Sequence, residues 1–168
     1  MRVYPCRGDI QDFGLPARRG RGAGLYLTRQ VDPRGLRQKY VLCDMGIGHV
    51  RYSTQGGKLV ENIQPFQFKT ALGPIAIAHN GNLTNFKSHR TRLQNAGTIF
   101  QTTSDSELFL HLIAQSSKGN QAEQIMDALS QVDGAFSLLI MTDNFLVAAR
   151  DIHGFRPLAL GKKDNTFI

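Results

Sequence analysis

The chain has 168 residues, enough to bury the core of one domain, and its 41% hydrophobic and 20% charged residues are those of an ordinary globular protein. Two cysteines are too few for a disulfide-stapled miniprotein, and no apolar run approaches the roughly 20 residues of a membrane helix. The formal net charge of +7 is concentrated at the start, where residues 1–40 carry nine Lys/Arg against three Asp.

A basic segment on a nearly neutral body reads as a tail, because a nucleic-acid groove draws its charge from several elements. Neither nucleic acid nor a membrane is therefore expected as a partner. Met1 to Leu15 lacks the apolar stretch of a secretory signal, and the arginines before residue 40 come with three Asp and no Ser, unlike an organellar transit peptide. A reducing, cytoplasmic location is the expectation.

Residues 1–44 are rich in Gly, Arg and Pro without sustained periodicity, so they form an atypical basic segment to which no element is assigned. The run Arg19-Gly20-Arg21-Gly22-Ala23-Gly24 reads as a basic turn. It lacks the flanking strand and helix of a dinucleotide fingerprint and the Lys-Ser or Lys-Thr of a phosphate loop. From Met45 the pattern sharpens: Ile47–Tyr52 and Pro74–His79 read as buried strands, the second ending in the turn-like pair Asn80-Gly81. Helices are predicted over 84–96, 104–115 and 120–132, the second opened by a Ser104/Glu107 capping box. Apolar runs at 135–141 and 145–149 flank the polar turn Thr142-Asp143-Asn144, which predicts a hairpin. A turn at 151–157 follows, and Leu158–Leu160 opens a further strand. Strands, then helices, then antiparallel strands predict a layered α+β domain over residues 45–168.

Three motifs could carry chemistry. Gly48-His49-Val50-Arg51-Tyr52-Ser53-Thr54-Gln55-Gly56-Gly57 places an Arg after a buried strand and before hydroxyl residues and a glycine pair, which suits a carboxylate clamp under a hinged loop. Taken alone, the motif is better explained by an Arg paired with a structural Asp. Asn80-Gly81 is a common turn dipeptide, but a side-chain amide beside a glycine N–H is also a two-donor oxyanion hole. Ser104-Asp105-Ser106-Glu107 is explained as a helix start, though an Asp there could hold an ammonium group. The five histidines are never three or four residues apart and no cysteine joins them, so no metal site is predicted.

Together these motifs resemble the class II glutamine amidotransferases, whose glutaminase domain is an N-terminal-nucleophile hydrolase. Three further stretches, Glu61–Phe66, Ile99–Asp105 and Asp151–Leu158, resemble the branch that joins the glutaminase to a phosphoribosyltransferase domain at the start of purine synthesis. The resemblance runs from about Gly46 to Lys162. The glucosamine-6-phosphate synthase branch is a more distant match, because it usually carries Trp after the loop Arg, where this chain has Tyr52 and no Trp anywhere.

The resemblance implies a four-layer αββα sandwich, here incomplete at the C-terminus and atypical at the N-terminus. Glutamine is the implied substrate, with Arg51 on its carboxylate, Asp105 on its ammonium and Thr54 in the covering loop. Asn80 and Gly81 are then the oxyanion donors. The family nucleophile is a cysteine at the mature N-terminus, where a free amine of pKa about 7.7 to 8.0 can accept the thiol proton. Cys6 is the one candidate and needs Met1–Pro5 removed, whereas Cys43, in an apolar run, reads as a buried thiol. No adjacent acidic pair occurs, so the phosphoribosyl-pyrophosphate loop is expected in a phosphoribosyltransferase domain outside this chain. Magnesium is expected only for that domain, no cofactor in this segment, and a homo-oligomer for the full-length enzyme. The chain alone is expected to be inactive or impaired; the alternative is a catalytically dead glutamine-binding module.

Overall fold

Alternation along one strand sets the architecture. In β6 (Gly73–Leu83), Ile75 and Ile77 are fully buried on one face, while Ala76 and Ala78 are buried on the other. A strand buried on both faces runs through a sheet that is covered on both sides. The computed structural model describes residues 3–5, 9–14, 23–29, 45–50, 60–164 and 166–168. In it β6 belongs to a five-stranded antiparallel sheet of order β1 (Val3–Pro5), β8 (Phe145–Arg150), β7 (Gly134–Thr142), β6 and β5 (Phe66–Thr70).

The isoleucine face of β6 continues through Leu138 and Ile140 of β7 and Val147 of β8. Three helices cover it: α1 (Phe86–Asn95), α2 (Glu107–Gln115) and α3 (Gln121–Leu129). Their core-facing residues are spaced as an amphipathic helix requires: Leu108, Leu112 and Ile113 on α2, Ile125 and Ala128 on α3, Leu93 on α1. Each fully buried Leu or Ile contributes roughly 1.5–3 kcal/mol. On the other face Ala76, Ala78 and Met141 pack against Met45 and Ile47. Ile47 lies on β4 (Gly46–Val50), the edge of a three-stranded antiparallel sheet of order β2 (Asp9–Gly14), β3 (Ala23–Arg29) and β4. Small alanines on β6 let the sheets approach. The described residues therefore stack as helices on a five-stranded sheet on a three-stranded sheet, with a short pair β9 (Lys162–Lys163) and β10 (Thr166–Phe167) at the end.

The predicted hairpin forms, and all three predicted helices form with shorter ends. Three expectations are corrected. Asn80-Gly81 does not end a strand: β6 runs on to Leu83, because β7 continues opposite it, with Asn80 facing Ser137 and Gly81 facing Phe136. The Ser104/Glu107 capping box does not form: α2 starts at Glu107, whose carboxylate turns inward to the backbone N–H groups of Gln101 and Thr102. Residues 158–160 are not a strand, and their place is taken by an exposed irregular segment before β9. Among the described residues, no helix is long and apolar enough to cross a membrane.

Candidate active site

The site forms where β5 stops short of β6. β5 pairs with β6 only as far as Phe66 opposite Ile77, so from His79 onward the backbone of β6 on that side has no strand partner. Buried N–H and C=O groups must still be satisfied. The His79 N–H donates to Gln64 Oε1 at 2.7 Å, and its carbonyl accepts from His49 Nε2 at 3.1 Å. Two residues on, the same side returns at Gly81, and two further at Leu83, whose N–H donates to Asp105 Oδ2 at 2.9 Å. Gly81 thus lies between two backbone donors that side chains have already taken.

The direction of the Gly81 N–H follows from β7. Phe136 stands opposite Gly81, but its N–H donates to Asp151 Oδ2 at 3.2 Å and its carbonyl accepts the Asp151 N–H at 3.0 Å, both away from β6. Gly81 and Phe136 are therefore a non-hydrogen-bonded pair, and the Gly81 N–H points past the end of β5. Non-hydrogen-bonded pairs sit closest, and a Cβ on Gly81 would come within 2.1 Å of the Ala135 carbonyl oxygen and 2.7 Å of Phe136 Cα. Only glycine fits. Asn80, by alternation, projects to the alanine face that meets β4, and is exposed.

Asp105 reaches this open edge from the turn before α2, anchored on both sides. Its Oδ1 lies 3.6 Å from His79 Nδ1, and its side chain is 17% exposed. Burial alone raises its carboxyl, but the His79 imidazole and the Leu83 N–H outweigh that and hold it below the ordinary carboxylate value. It is an anion at neutral pH. Behind it, Asn62 Nδ2 donates to Thr103 Oγ1 and Asn62 Oδ1 accepts the Thr103 N–H, while Gln64 Nε2 donates to Ser106 Oγ at 3.0 Å. Glu107, fully buried, accepts from Gln101, from both the N–H and hydroxyl of Thr102, and from His111. Its carboxyl is raised by burial and lowered further by His111, Gln101 and Thr102, so the net direction is down.

On the far side of β7, Asp151 is buried and gathers the N–H groups of Phe136, His153 and Phe155. It fixes the turn predicted at 151–157. Ser137, which faces Asn80, donates its hydroxyl to the Pro157 carbonyl at 2.8 Å.

Of the residues singled out in the sequence, Gly81 and Asp105 share the open edge of β6 beyond the end of β5, and Asn80 precedes Gly81 on that strand with its side chain on the alanine face. Arg51, Thr54, Cys6 and Cys43 lie outside the described residues. Among the described residues no group of three or more His, Cys, Asp or Glu is placed to hold a metal ion. The sequence reading missed Gln64, His79 and Ser106 as one connected group, and its only signal was that Gln64 and His79 are polar residues inside apolar stretches.

An anion beside a strand edge that offers a backbone donor and a neighbouring amide can hold a cationic group and a developing oxyanion of one small molecule. Residues 49–168 match the family model described as glutamine amidotransferase domain, and the chain belongs to that family. Relatives it is similar to include amidophosphoribosyltransferases. It is 46% identical over 122 residues to amidophosphoribosyltransferase 3, chloroplastic, of Arabidopsis thaliana, covering 73% of this chain and 23% of that protein. With the Lacticaseibacillus casei amidophosphoribosyltransferase it shares 49% identity over 115 residues, 68% of this chain and 59% of the relative. Among solved structures it is similar to the B. subtilis glutamine phosphoribosylpyrophosphate amidotransferase complexed with ADP and GMP, with a TM-score of 0.70 and 41% identity over 76% of this chain and 27% of that one. The chain thus spans about a quarter of the length of the plant relatives it matches.

Proposed function

We propose that this chain is the glutaminase portion of an amidophosphoribosyltransferase, the enzyme that frees ammonia from glutamine to make 5-phosphoribosylamine from phosphoribosyl pyrophosphate. The single observation that carries the reading is the Gly81 N–H, aimed past the end of β5 between the donors held by Gln64 and Asp105. In this reading Asp105 holds the glutamine ammonium, and Arg51, with Thr54 in the covering loop, holds the carboxylate. With both ends of the α-carbon fixed, the side-chain amide reaches the β6 edge. When the thiol, its proton taken by the N-terminal amine, attacks the amide carbon, the carbonyl oxygen becomes an oxyanion that accepts from the Asn80 amide and the Gly81 N–H; on collapse the C–N bond breaks as the amine returns that proton to the departing nitrogen, releasing ammonia and leaving a thioester that water hydrolyses to glutamate. The layers described above, completed by a second helix layer, make the four-layer αββα sandwich of N-terminal-nucleophile hydrolases. The phosphoribosyltransferase domain, its magnesium and the homo-oligomer belong to a longer protein, in the cytoplasm or, as the plant relatives' names suggest, a plastid.

A second reading is a glutamine-binding module without turnover. Cys6, the one candidate nucleophile, is preceded by five residues in the given sequence, and in that form it carries an amide in place of the free amine that would accept its thiol proton.

Calorimetry with glutamine, alongside an ammonia-release assay, tests both readings. Binding that falls at least about tenfold in Asp105→Asn supports the site, since charged hydrogen bonds contribute roughly 1.5–3 kcal/mol. Ammonia release abolished by Cys6→Ala selects the enzyme, and binding without release selects the module. No binding of glutamine refutes the site.

A further inference from the structure

His79 is almost wholly buried, with 1% of its side chain exposed, and it touches both halves of the candidate site. Its Nδ1 lies 2.8 Å from Ser106 Oγ and 3.6 Å from Asp105 Oδ1. Its Nε2 has no hydrogen-bond partner and faces Gly81, where a Cβ would stand only 2.9 Å away. The ring meets Phe109 edge-on at 5.4 Å, and the backbone on either side is held by Gln64 and His49. The imidazole cannot swing away from either neighbour.

Its proton can be placed by accounting. Gln64 must present Oε1 to the His79 N–H, so its Nε2 is the donor to Ser106 Oγ. Ser106 Oγ then has one lone pair and one proton left, shared between His79 Nδ1 and Ser104 Oγ, 3.1 Å away. If the imidazole carried its proton on Nε2, a buried donor would lack an acceptor and a bare Nδ1 would face the Asp105 carboxylate, both costly. A proton on Nδ1 removes both penalties: it donates to Ser106 Oγ at 2.8 Å and presents a polar N–H beside Asp105 Oδ1, 3.6 Å from the nitrogen, the Ser106 proton turns to Ser104, and the bare Nε2 faces Gly81.

We infer that His79, as its Nδ1–H tautomer, is a positioning residue that sets the Asp105 carboxylate against the Gly81 edge, so that hold on the substrate's ammonium depends on a donor at the Nδ1 position. The inference rests on the glutamine reading for its ligand and on the hydrogen-bond geometry for its mechanism. It separates two neutral substitutions. His79→Asn carries an amide N–H at the distance of Nδ1 from the backbone; His79→Gln carries its amide one methylene further, near the place of Nε2. A purely structural histidine would be replaced about equally well, or badly, by both.

The test measures affinity for glutamine and for 4-carbamoylbutanoate, which has hydrogen in place of the α-amino group, by calorimetry on the wild-type chain and both variants, with nitrogen NMR of His79 in the wild type. The expected spectrum shows a protonated Nδ1 and a bare Nε2. The wild type prefers glutamine; His79→Asn keeps that preference within about threefold, while His79→Gln loses roughly tenfold of it and binds the analogue as before. Equal weakening of both ligands, an unchanged preference in His79→Gln, or a protonated Nε2 overturns the inference. If neither variant folds, the wild-type tautomer decides it. If the wild type binds neither ligand, the glutamine reading fails, and the NMR assignment still decides the arrangement of His79.

Discussion

Replacing Gly81 by alanine puts one methyl group where β6 and β7 are already in contact. The added carbon would lie 2.1 Å from the Ala135 carbonyl oxygen, 2.7 Å from Phe136 Cα and 2.9 Å from His79 Nε2. Two of these are backbone atoms, so no side-chain rotation relieves the clash, and the strands must part by about 1 Å to restore ordinary contact. A ladder bond of about 2.9 Å stretched by that amount is no longer a hydrogen bond. The strain of overpacking is about 1–3 kcal/mol, and losing the Asn80–Ser137 bonds beside it adds about 1 kcal/mol each. The expected destabilisation is therefore about 3–5 kcal/mol, which lowers the Tm by roughly 6–20 °C in a chain of this size. Thermal unfolding of Gly81→Ala measures this, with Gly119→Ala as the control, since nothing lies within 4 Å of a Cβ there. The control is expected to stay within about 1 kcal/mol of wild type, on the stabilising side. A Gly81→Ala chain that melts with the wild type would refute the close pairing, and with it the placement of the Gly81 N–H.

Glu107→Gln leaves a single oxygen for four donors and is expected to cost about 2–4 kcal/mol, read from denaturant midpoints. Because the folded carboxyl lies below its unfolded value, its stabilisation is complete above about pH 4.3 and is lost as pH falls through the lower folded value. The acid limb of the wild-type stability curve should accordingly flatten in Glu107→Gln, and an unchanged limb contradicts the assignment. Asp151→Asn replaces an acceptor by a donor in front of the N–H groups it gathers. Faster amide exchange at Phe136, His153 and Phe155 is expected, while α3 keeps its protection. Asn80→Ala, in any form of the chain that turns over glutamine, should lower kcat by roughly 100-fold to 1,000-fold with little change in KM.

The helices and the β7–β8 hairpin were legible because their apolar spacing is strong and local: Leu108, Leu112 and Ile113, or the run 135–141, leave little choice of face. The end of β6 is not legible in the sequence, because Asn-Gly carries a turn preference that the continuing partner β7 overrides. Phe66–Thr70 alternates in its first four residues, but so short a run shows itself as a strand only through its partner, where Phe66 and Phe68 stand opposite Ile77 and Ile75. The candidate site was legible in Asn80, Gly81 and Asp105, each a residue type with a specific chemical use. Its support was not. Gln64 meets His79 across 15 residues, His79 meets Ser106 across 27, and Gln64 meets Ser106 across 42, and no local spacing encodes such contacts.

The early stop of β5 has a consequence beyond chemistry. A bare strand margin invites a stray chain to add itself, the usual route to misassembly. Here His49, Gln64 and Asp105 occupy hydrogen-bonding groups that an intruding strand would need, in an irregular spacing that no extended peptide matches. The same three side chains that leave a single amide open to a small molecule thus deny that margin to a polymer.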